Sequence, residues 1–221
     1  MAWRNTLQSL YHSDGATDKV KYFKDEPVLM EIEDPELTFP DPDFPMSLED
    51  LISIEKYICT GKGEANVTHP WTKIYYHRMF DSPYNQVDFL LKKLKEKLPA
   101  GDAQISIWDK NLDQKASISP CAQIIWARVR SGKLEMHVHS NSSDAYNKLL
   151  MNIREFVSFQ IFLAGKLQIK CGKFLYFIDS CHLHMKDSTR IGLLLRKWQK
   201  SSRKLPCDRS DNIPTQLVGC Q

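Results

Sequence analysis

A thiol, two hydroxyls, a carboxylate, an amide and imidazoles stand at fixed distances from one another in the second half of this 221-residue chain. The densest part is Ser119 to Asn152, SPCAQIIWARVRSGKLEMHVHSNSSDAYNKLLMN. A Pro-Cys pair opens an apolar run, and Ser131-Gly132 marks a turn. A second run leads to Ser142-Ser143-Asp144, and a largely apolar segment then carries Asn152. A cysteine at the head of a strand, facing polar groups from the next strand and helix, can act as a nucleophile once its surroundings favour the thiolate. The plainer reading of any one cysteine is a small buried apolar side chain. Spacing has to separate the two.

The elements that would position these residues can be read from periodicity. Leu29 to Ile32 reads as a strand, and Asp34 to Pro45 (DPELTFPDPDFP) as loop or extended linker, because prolines that dense exclude helix and central strand. Ser47-Leu48-Glu49-Asp50 is a capping signature, predicting a helix that runs to Thr60-Gly61. Trp71 to Phe80 is aromatic-rich and ambiguous. Asp81-Ser82-Pro83 opens a further helix with its body at Val87 to Leu98, ended by Pro99-Ala100-Gly101. Gln104 to Trp108 alternates as a strand, and Cys121–Val129 with Leu134–His139 form a hairpin about Ser131-Gly132. Asp144 to Leu163 is the strongest helix, apolar over most of its girth and so buried on several sides. Leu167–Cys171 and Phe174–Ile178 read as two strands around Gly172, and His182 to Gln199 as a final amphipathic helix. The order predicts an α+β fold in one domain over 1–221. Within it, residues 1–46 form a variable N-terminal segment, and 201–221 a loosely held tail.

Bulk properties exclude several classes. With 30 basic and 27 acidic side chains the net charge is +3, too balanced to argue for a nucleic-acid surface. Arg190, Arg196, Lys197, Lys200, Arg203 and Lys204 give the last predicted helix a basic end that continues past it, which suits a solvated helix end. No run of 18 apolar residues indicates a membrane span, and MAWRNTLQSLYHSDG lacks a signal-peptide core, so a cytoplasmic setting is expected. The six cysteines show no metal-like pairs.

The stretch from Trp108 to His184 resembles the thymidylate synthase and pyrimidine hydroxymethylase family. The resemblance rests on Trp108-Asp109 thirteen residues before Cys121, and on Ser142, Asn152 and His182 at 21, 31 and 61 residues after it. It implies a bent, mostly antiparallel sheet packed against a long buried helix, and a homodimer with sheets back to back. It also implies folate-dependent methyl or hydroxymethyl transfer from 5,10-methylenetetrahydrofolate to C5 of a pyrimidine nucleotide or nucleoside. Cys121 matches the nucleophile that adds to C6. Asn152 matches the asparagine that pairs with O4 and N3 of a uracil ring, and Ser142 lies with the substrate contacts. His182 matches the histidine that meets the sugar hydroxyl, with His184 standing for the family's tyrosine. Asp144 matches the folate-binding carboxylate, while the residue type fits a helix N-cap equally well. Tyr75 falls where a Tyr-Gly pair is expected, with Tyr76 for the glycine. Glu55 is the nearest candidate for the acid/base glutamate, whose place by ungapped counting is Ile54.

The departures are equally specific. The family grips phosphate with arginines, whose planar fork fits phosphate oxygens. Here Asn141 replaces the arginine before the serine, Gly101-Asp102 replaces the arginine pair, and the Arg-Thr-Gly loop is missing. Lys148, Leu150 and Ala122 replace a glycine, a proline and a histidine. These losses point to a substrate without its 5′-phosphate or held by other cations. They also leave open a second reading, a non-catalytic protein that keeps the fold to bind a ligand or to pair as a structural dimer partner.

Overall fold

The computed structural model describes residues 2–14, 21–81, 85–96 and 102–202. Its frame is a five-stranded sheet in the order β1-β5-β4-β3-β2. The strands are β1 (Tyr22–Ile32), β2 (Gln104–Ser106), β3 (Ala122–Arg130), β4 (Lys133–Asp144) and β5 (Lys170–His184). Three of the four strand pairs are antiparallel, and β4 with β5 is parallel. The helices are α1 (Ala2–His12), α2 (Leu48–Thr60), α3 (Pro70–Phe80), α4 (Gln86–Lys95), α5 (Lys110–Asp113), α6 (Leu149–Leu167) and α7 (Ser188–Ser202). The α+β class read from the sequence is the class the protein has.

Where local chemistry is strong, sequence and structure agree. Ser47 caps α2, its hydroxyl accepting from the Asp50 amide, and the helix ends on Gly61 at φ +65°. The β3–β4 hairpin turns at Ser131 and Gly132, both with positive φ, as a two-residue turn with right-handed strand twist requires. The aromatic run after His69 is helix α3, with Pro70 at its first turn, where the missing amide donor costs nothing.

Several expectations are corrected. Leu167–Cys171 and Phe174–Ile178 are not two strands: α6 continues through Leu167, and Lys170–His184 is one strand running through Gly172. A Cβ at Gly172 would sit 3.2 Å from the Leu134 carbonyl, so this glycine permits close approach of the neighbouring strand rather than a break. His182 and His184 belong to β5, and the last helix starts at Ser188, because pairing with both β1 and β4 holds those residues extended. Asp144 ends β4, and α6 begins five residues later, at Leu149. Finally, residues 2–12 form a helix, with Trp3, Leu7 and Leu10 buried along one side. α4 starts at Gln86 with Asn85 as its cap. Ser82-Pro83, Pro99-Ala100-Gly101 and the tail beyond Ser202 lie outside the described residues.

One face of the sheet is covered. Ile125, Ala127, Met136, Val138, Phe174, Tyr176 and Ile178 meet Phe156, Phe159 and Leu163 of α6, with α2 behind that helix. Gln160, wholly buried in α6, donates to the carbonyls of Leu134 (2.8 Å) and Gly172 (3.2 Å), tying the helix to both parallel strands. The proline-rich acidic segment is no free linker. Arg4 pairs with Asp41 at 2.5 Å, and Trp198 donates to Asp43 at 2.7 Å, so it clasps α1 and α7 together. Among the described residues no helix is long and apolar enough to cross a membrane.

The end of α2 yields a test. A Cβ on Gly61 would sit 2.6 Å from the Tyr76 ring, which stacks on Phe80 at 4.6 Å. Gly61→Ala is expected to cost about 1–2 kcal/mol from its left-handed backbone, plus the displacement of Tyr76. Chemical denaturation would measure the loss, and an unchanged midpoint would contradict this account.

Candidate active site

Parallel strands joined through a helix place their carboxyl ends side by side, and polar residues there form a crevice. β4 and β5 do this over their last turns of sequence: Ser142 faces Ser180, Ser143 faces Cys181, and Asp144 faces His182. Earlier in both strands the inward positions are apolar and buried, as with Met136 and Val138 of β4 and Phe174, Tyr176 and Ile178 of β5, and polar residues gather toward the strand ends. α6 starts beside this end and carries Asn152 in its first turn.

Cys121 stands just before β3, where Asn141 donates its amide to the Cys121 carbonyl at 2.9 Å. Its thiol is half-buried and lies 3.5 Å from the Ser142 hydroxyl. Tyr75 reaches the next residue from α3, its Oη accepting from the Ala122 amide at 3.3 Å. Burial pushes the Tyr75 hydroxyl well above the ordinary phenol range, with Glu155 and Cys121 adding to the shift. Cys59, Cys171 and Cys181 are each pushed up to about 12 by burial, which keeps them as inert thiols.

Asn152 is buried, and its Nδ2 donates to Ser143 Oγ at 3.1 Å. That bond uses one amide hydrogen and leaves a second, together with the acceptor oxygen. Asp144 is more committed. Its Oδ1 accepts from the amides of Tyr146 and Asn147, and Oδ2 from the Asn147 side chain at 2.8 Å, with His184 3.6 Å away. Asp144 therefore caps the turn that leads into α6, and Lys148 occupies the helix N-cap position itself. His182 stacks on Tyr22 at 4.1 Å, and His184 meets both rings edge-on. His182 Nδ1 lies 3.2 Å from the Ser180 carbonyl, an acceptor only, so Nδ1 carries the hydrogen and Nε2 is the free acceptor. Burial lowers the ionisation of His182, favouring the neutral ring. Beside Asp144 opens a pocket of about 500 Å³ lined by Asn147, Lys148, Lys186, Asp187 and Arg190.

Glu55 is engaged by a cation of α6. It is held at 2.5 Å by Arg154, whose other arm donates to the Thr38 carbonyl. Of the departures, Asp102 pairs with Lys93 at 2.5 Å on the surface, and the Asn141 side-chain oxygen is buried with no partner. Among the described residues no three His, Cys, Asp or Glu side chains cluster as a metal site.

Sequence reasoning missed Glu155. It sits in α6 one turn beyond Asn152, is 0 % exposed, and neither carboxylate oxygen has a hydrogen-bond partner. Burial pushes it up to about 8, with Thr72 alone pulling the other way. The signal was a single glutamate among Ile153, Phe156 and Val157 on a helix read as buried on most sides. The folded protein holds this proton while the unfolded chain releases it near pH 4.5, so the contribution to stability is complete in acid and falls as pH rises toward 8. The loss between pH 5 and pH 8 is on the order of 3–4 kcal/mol. Glu155→Gln should remove that slope, matching wild type at pH 5 and exceeding it at pH 8. Urea melts of both proteins test this, and parallel pH profiles would refute it.

A family model for thymidylate synthase matches residues 63–216, well over half of the chain. Thymidylate synthase of Streptococcus suis is 30% identical over 113 residues, covering 49% of this chain and 40% of that protein. The Bacillus licheniformis enzyme is 23% identical over 121 residues, covering 55% and 43%. That of Streptococcus agalactiae is 25% identical over 154 residues, covering 67% and 55%. The chain thus spans about half the length of the curated relatives it matches. With the matched span containing Cys121, Ser142, Asn152 and His182 in one crevice, the chain belongs to the thymidylate synthase family.

Proposed function

We propose that this protein transfers a one-carbon unit to C5 of a uracil-type ring, with Cys121 as the covalent nucleophile and 5,10-methylenetetrahydrofolate as the donor. The observation that carries the reading is the Cys121 thiol facing the Ser142 hydroxyl at 3.5 Å, beside the buried amide of Asn152. As Cys121 Sγ bonds to C6, the ring's double-bond electrons move onto O4. The free Asn152 N–H donates there, and its oxygen accepts from N3–H. C5 is then nucleophilic, bonds to the one-carbon unit and releases its hydrogen as a proton. The carbon's bond to the folate nitrogen breaks, a hydride from the folate or a water adds to give methyl or hydroxymethyl, and the Sγ–C6 bond then breaks. His182, neutral with Nε2 free, accepts from a sugar hydroxyl, and His184 stands beside it.

The donor-binding side fits the folate chemistry in part. Asp144 can accept ring N–H groups, and Lys148, Lys186 and Arg190 on the same pocket suit carboxylates. Three of the Asp144 lone-pair positions are already engaged. The folate supplies the one-carbon unit when bound. Asn141 and Gly101-Asp102 stand where the family has phosphate-gripping arginines, which favours a nucleoside or a nucleotide whose phosphate meets other cations.

A second reading has its own support. Glu55 is bound to Arg154 and Asp144 to its own turn, as in a fold kept for binding or pairing without turnover. The outer sheet face suits such pairing, and equally suits an active homodimer. Leu29 is 68% and Phe177 40% exposed there, beside Ile124 and Trp126 around a shallow groove.

Tritium release from C5 of labelled uridine, deoxyuridine and their monophosphates, with methylenetetrahydrofolate, separates the two. Wild type is expected to release tritium and Cys121→Ala to release none. Asn152→Asp should slow release about 10- to 100-fold, since a second acceptor then opposes O4. No release from any substrate, alongside calorimetric binding of one of them, would establish the non-catalytic reading. In sedimentation the wild type should run as a dimer and Phe177→Glu as a monomer; a monomeric wild type would exclude pairing through the sheet.

A further inference from the structure

The turn that carries Asp144 is held from the far end of the chain. Ala145 and Tyr146 share one planar peptide unit. Its N–H, on Tyr146, donates to Asp144 Oδ1 at 3.1 Å. Its carbonyl, on Ala145, accepts from the indole Nε1–H of Trp3 at 2.8 Å, 142 positions away in sequence. Because the unit is rigid, the bond at one end fixes the direction of the other. The Ala145 amide is tied as well, donating to the His182 carbonyl at 2.9 Å. Ala145 is wholly buried, so a carbonyl deprived of Trp3 would be left without a donor in the interior. The peptide plane would then rotate toward another one, and its N–H would leave Asp144.

Trp3 is itself fixed by two other segments. Its ring is 2% exposed and meets Phe44 edge-on at 5.2 Å and Trp198 at 5.6 Å. Asp43 latches the three together, accepting from Arg4 at 3.0 Å, from Lys197 at 2.5 Å and from the Trp198 indole at 2.7 Å. Pro45 and Met46 follow directly and line the pocket with Asp144, Asn147 and Lys148. One aromatic cluster therefore bears on two parts of that pocket. A phenylalanine could fill the same space in the core, but only an indole N–H makes the bond to Ala145.

We infer that Trp3 is a positioning residue for the donor pocket, its indole N–H holding the Ala145–Tyr146 peptide plane and so aiming the Asp144 carboxylate at the ring N–H groups of a pterin. The two carboxylate oxygens accept three hydrogen bonds within the turn, which leaves one lone-pair position whose direction is set by the turn itself. Rotating the peptide frees Oδ1 and lets the carboxylate swing away from that direction. The role of Asp144 toward a folate rests on the reading given above; the hold of Trp3 on the turn does not.

The full chain is compared with Trp3→Phe, which keeps an aromatic ring and loses the N–H. Trp198→Phe serves as the control, because the N–H it loses is bonded to Asp43 and not to the turn. The first readout uses no ligand: hydrogen exchange by mass spectrometry of peptides spanning 145–149. Trp3→Phe is expected to exchange about tenfold faster at Tyr146 and Asn147, while Trp198→Phe keeps the wild-type rate. The second readout is calorimetric binding of tetrahydrofolate and, separately, of deoxyuridine. Trp3→Phe should bind tetrahydrofolate about tenfold more weakly and deoxyuridine as the wild type does. An unchanged rate at Tyr146 and Asn147 would overturn the inference, and so would an equal rise in Trp198→Phe. Faster exchange throughout β4 and β5 would also overturn it, showing a general loss of stability, as would faster exchange at the turn with tetrahydrofolate binding undiminished. A wild type that binds no tetrahydrofolate would sink the donor reading proposed earlier, and faster exchange confined to the turn in Trp3→Phe would then still uphold the hold of Trp3 on Asp144.

Discussion

The parallel pairing of β4 with β5 is the constraint from which the rest of the structure follows. Two parallel neighbours need a crossover, and α6 is that crossover, so it must lie on the sheet and be apolar over most of its surface. The same pairing brings Ser142, Ser143 and Asp144 level with Ser180, Cys181 and His182. Polar side chains from two strands and from the start of the crossover helix then share one crevice. Antiparallel β3 adds Cys121 at the matching end, because a hairpin partner of β4 begins where β4 finishes. Asp144 and His182 are oriented within their own segments, but Cys121, Ser142 and Asn152 reach one another only through strand pairing and the crossover.

That arrangement explains why so many polar groups of the crevice are already bonded. Ser143 holds Asn152, Ser180 holds His182, and Asn147 holds Asp144. Such bonds orient a side chain while leaving it donors or acceptors to spare, as the amide of Asn152 does. Asp144 spares less, which is why its dual nature as turn cap and candidate ligand matters. Glu155 is the exception to this satisfied network. Its orphaned oxygens are fully buried, where an unpaired charge is costly and a neutral carboxyl is tolerated.

The two faces of the sheet divide the labour. The inner face meets α6 and forms the core, and tethers from the acidic proline-rich segment to α1 and α7 close its far end. The outer face keeps Leu29, Ile124 and Phe177 partly in solvent, an arrangement suited to pairing between copies of the chain.

Much of this was legible in the residues alone, wherever the deciding interaction is local. The Ser47 cap, the Gly61 stop, the Ser131-Gly132 hairpin and the apolar girth of α6 are all set within a few residues, so periodicity and capping chemistry find them. The offsets from Cys121 to Ser142, Asn152 and His182 likewise carried the family, because chain lengths between strand ends are constrained by the frame that spans them. What only the tertiary structure decided are the features whose cause lies far away in sequence. His182 and His184 are strand rather than helix because β1 and β4 bond them on both sides. Residues 2–12 are helical because Trp3 and its neighbours find a distant core, with Trp3 donating to the Ala145 carbonyl. The apolar neighbours of Glu155 in sequence show that it is buried, but how far burial weakens it as an acid is set by the fold packed around α6. Short-range spacing specifies which groups are present; long-range burial decides which of them are charged.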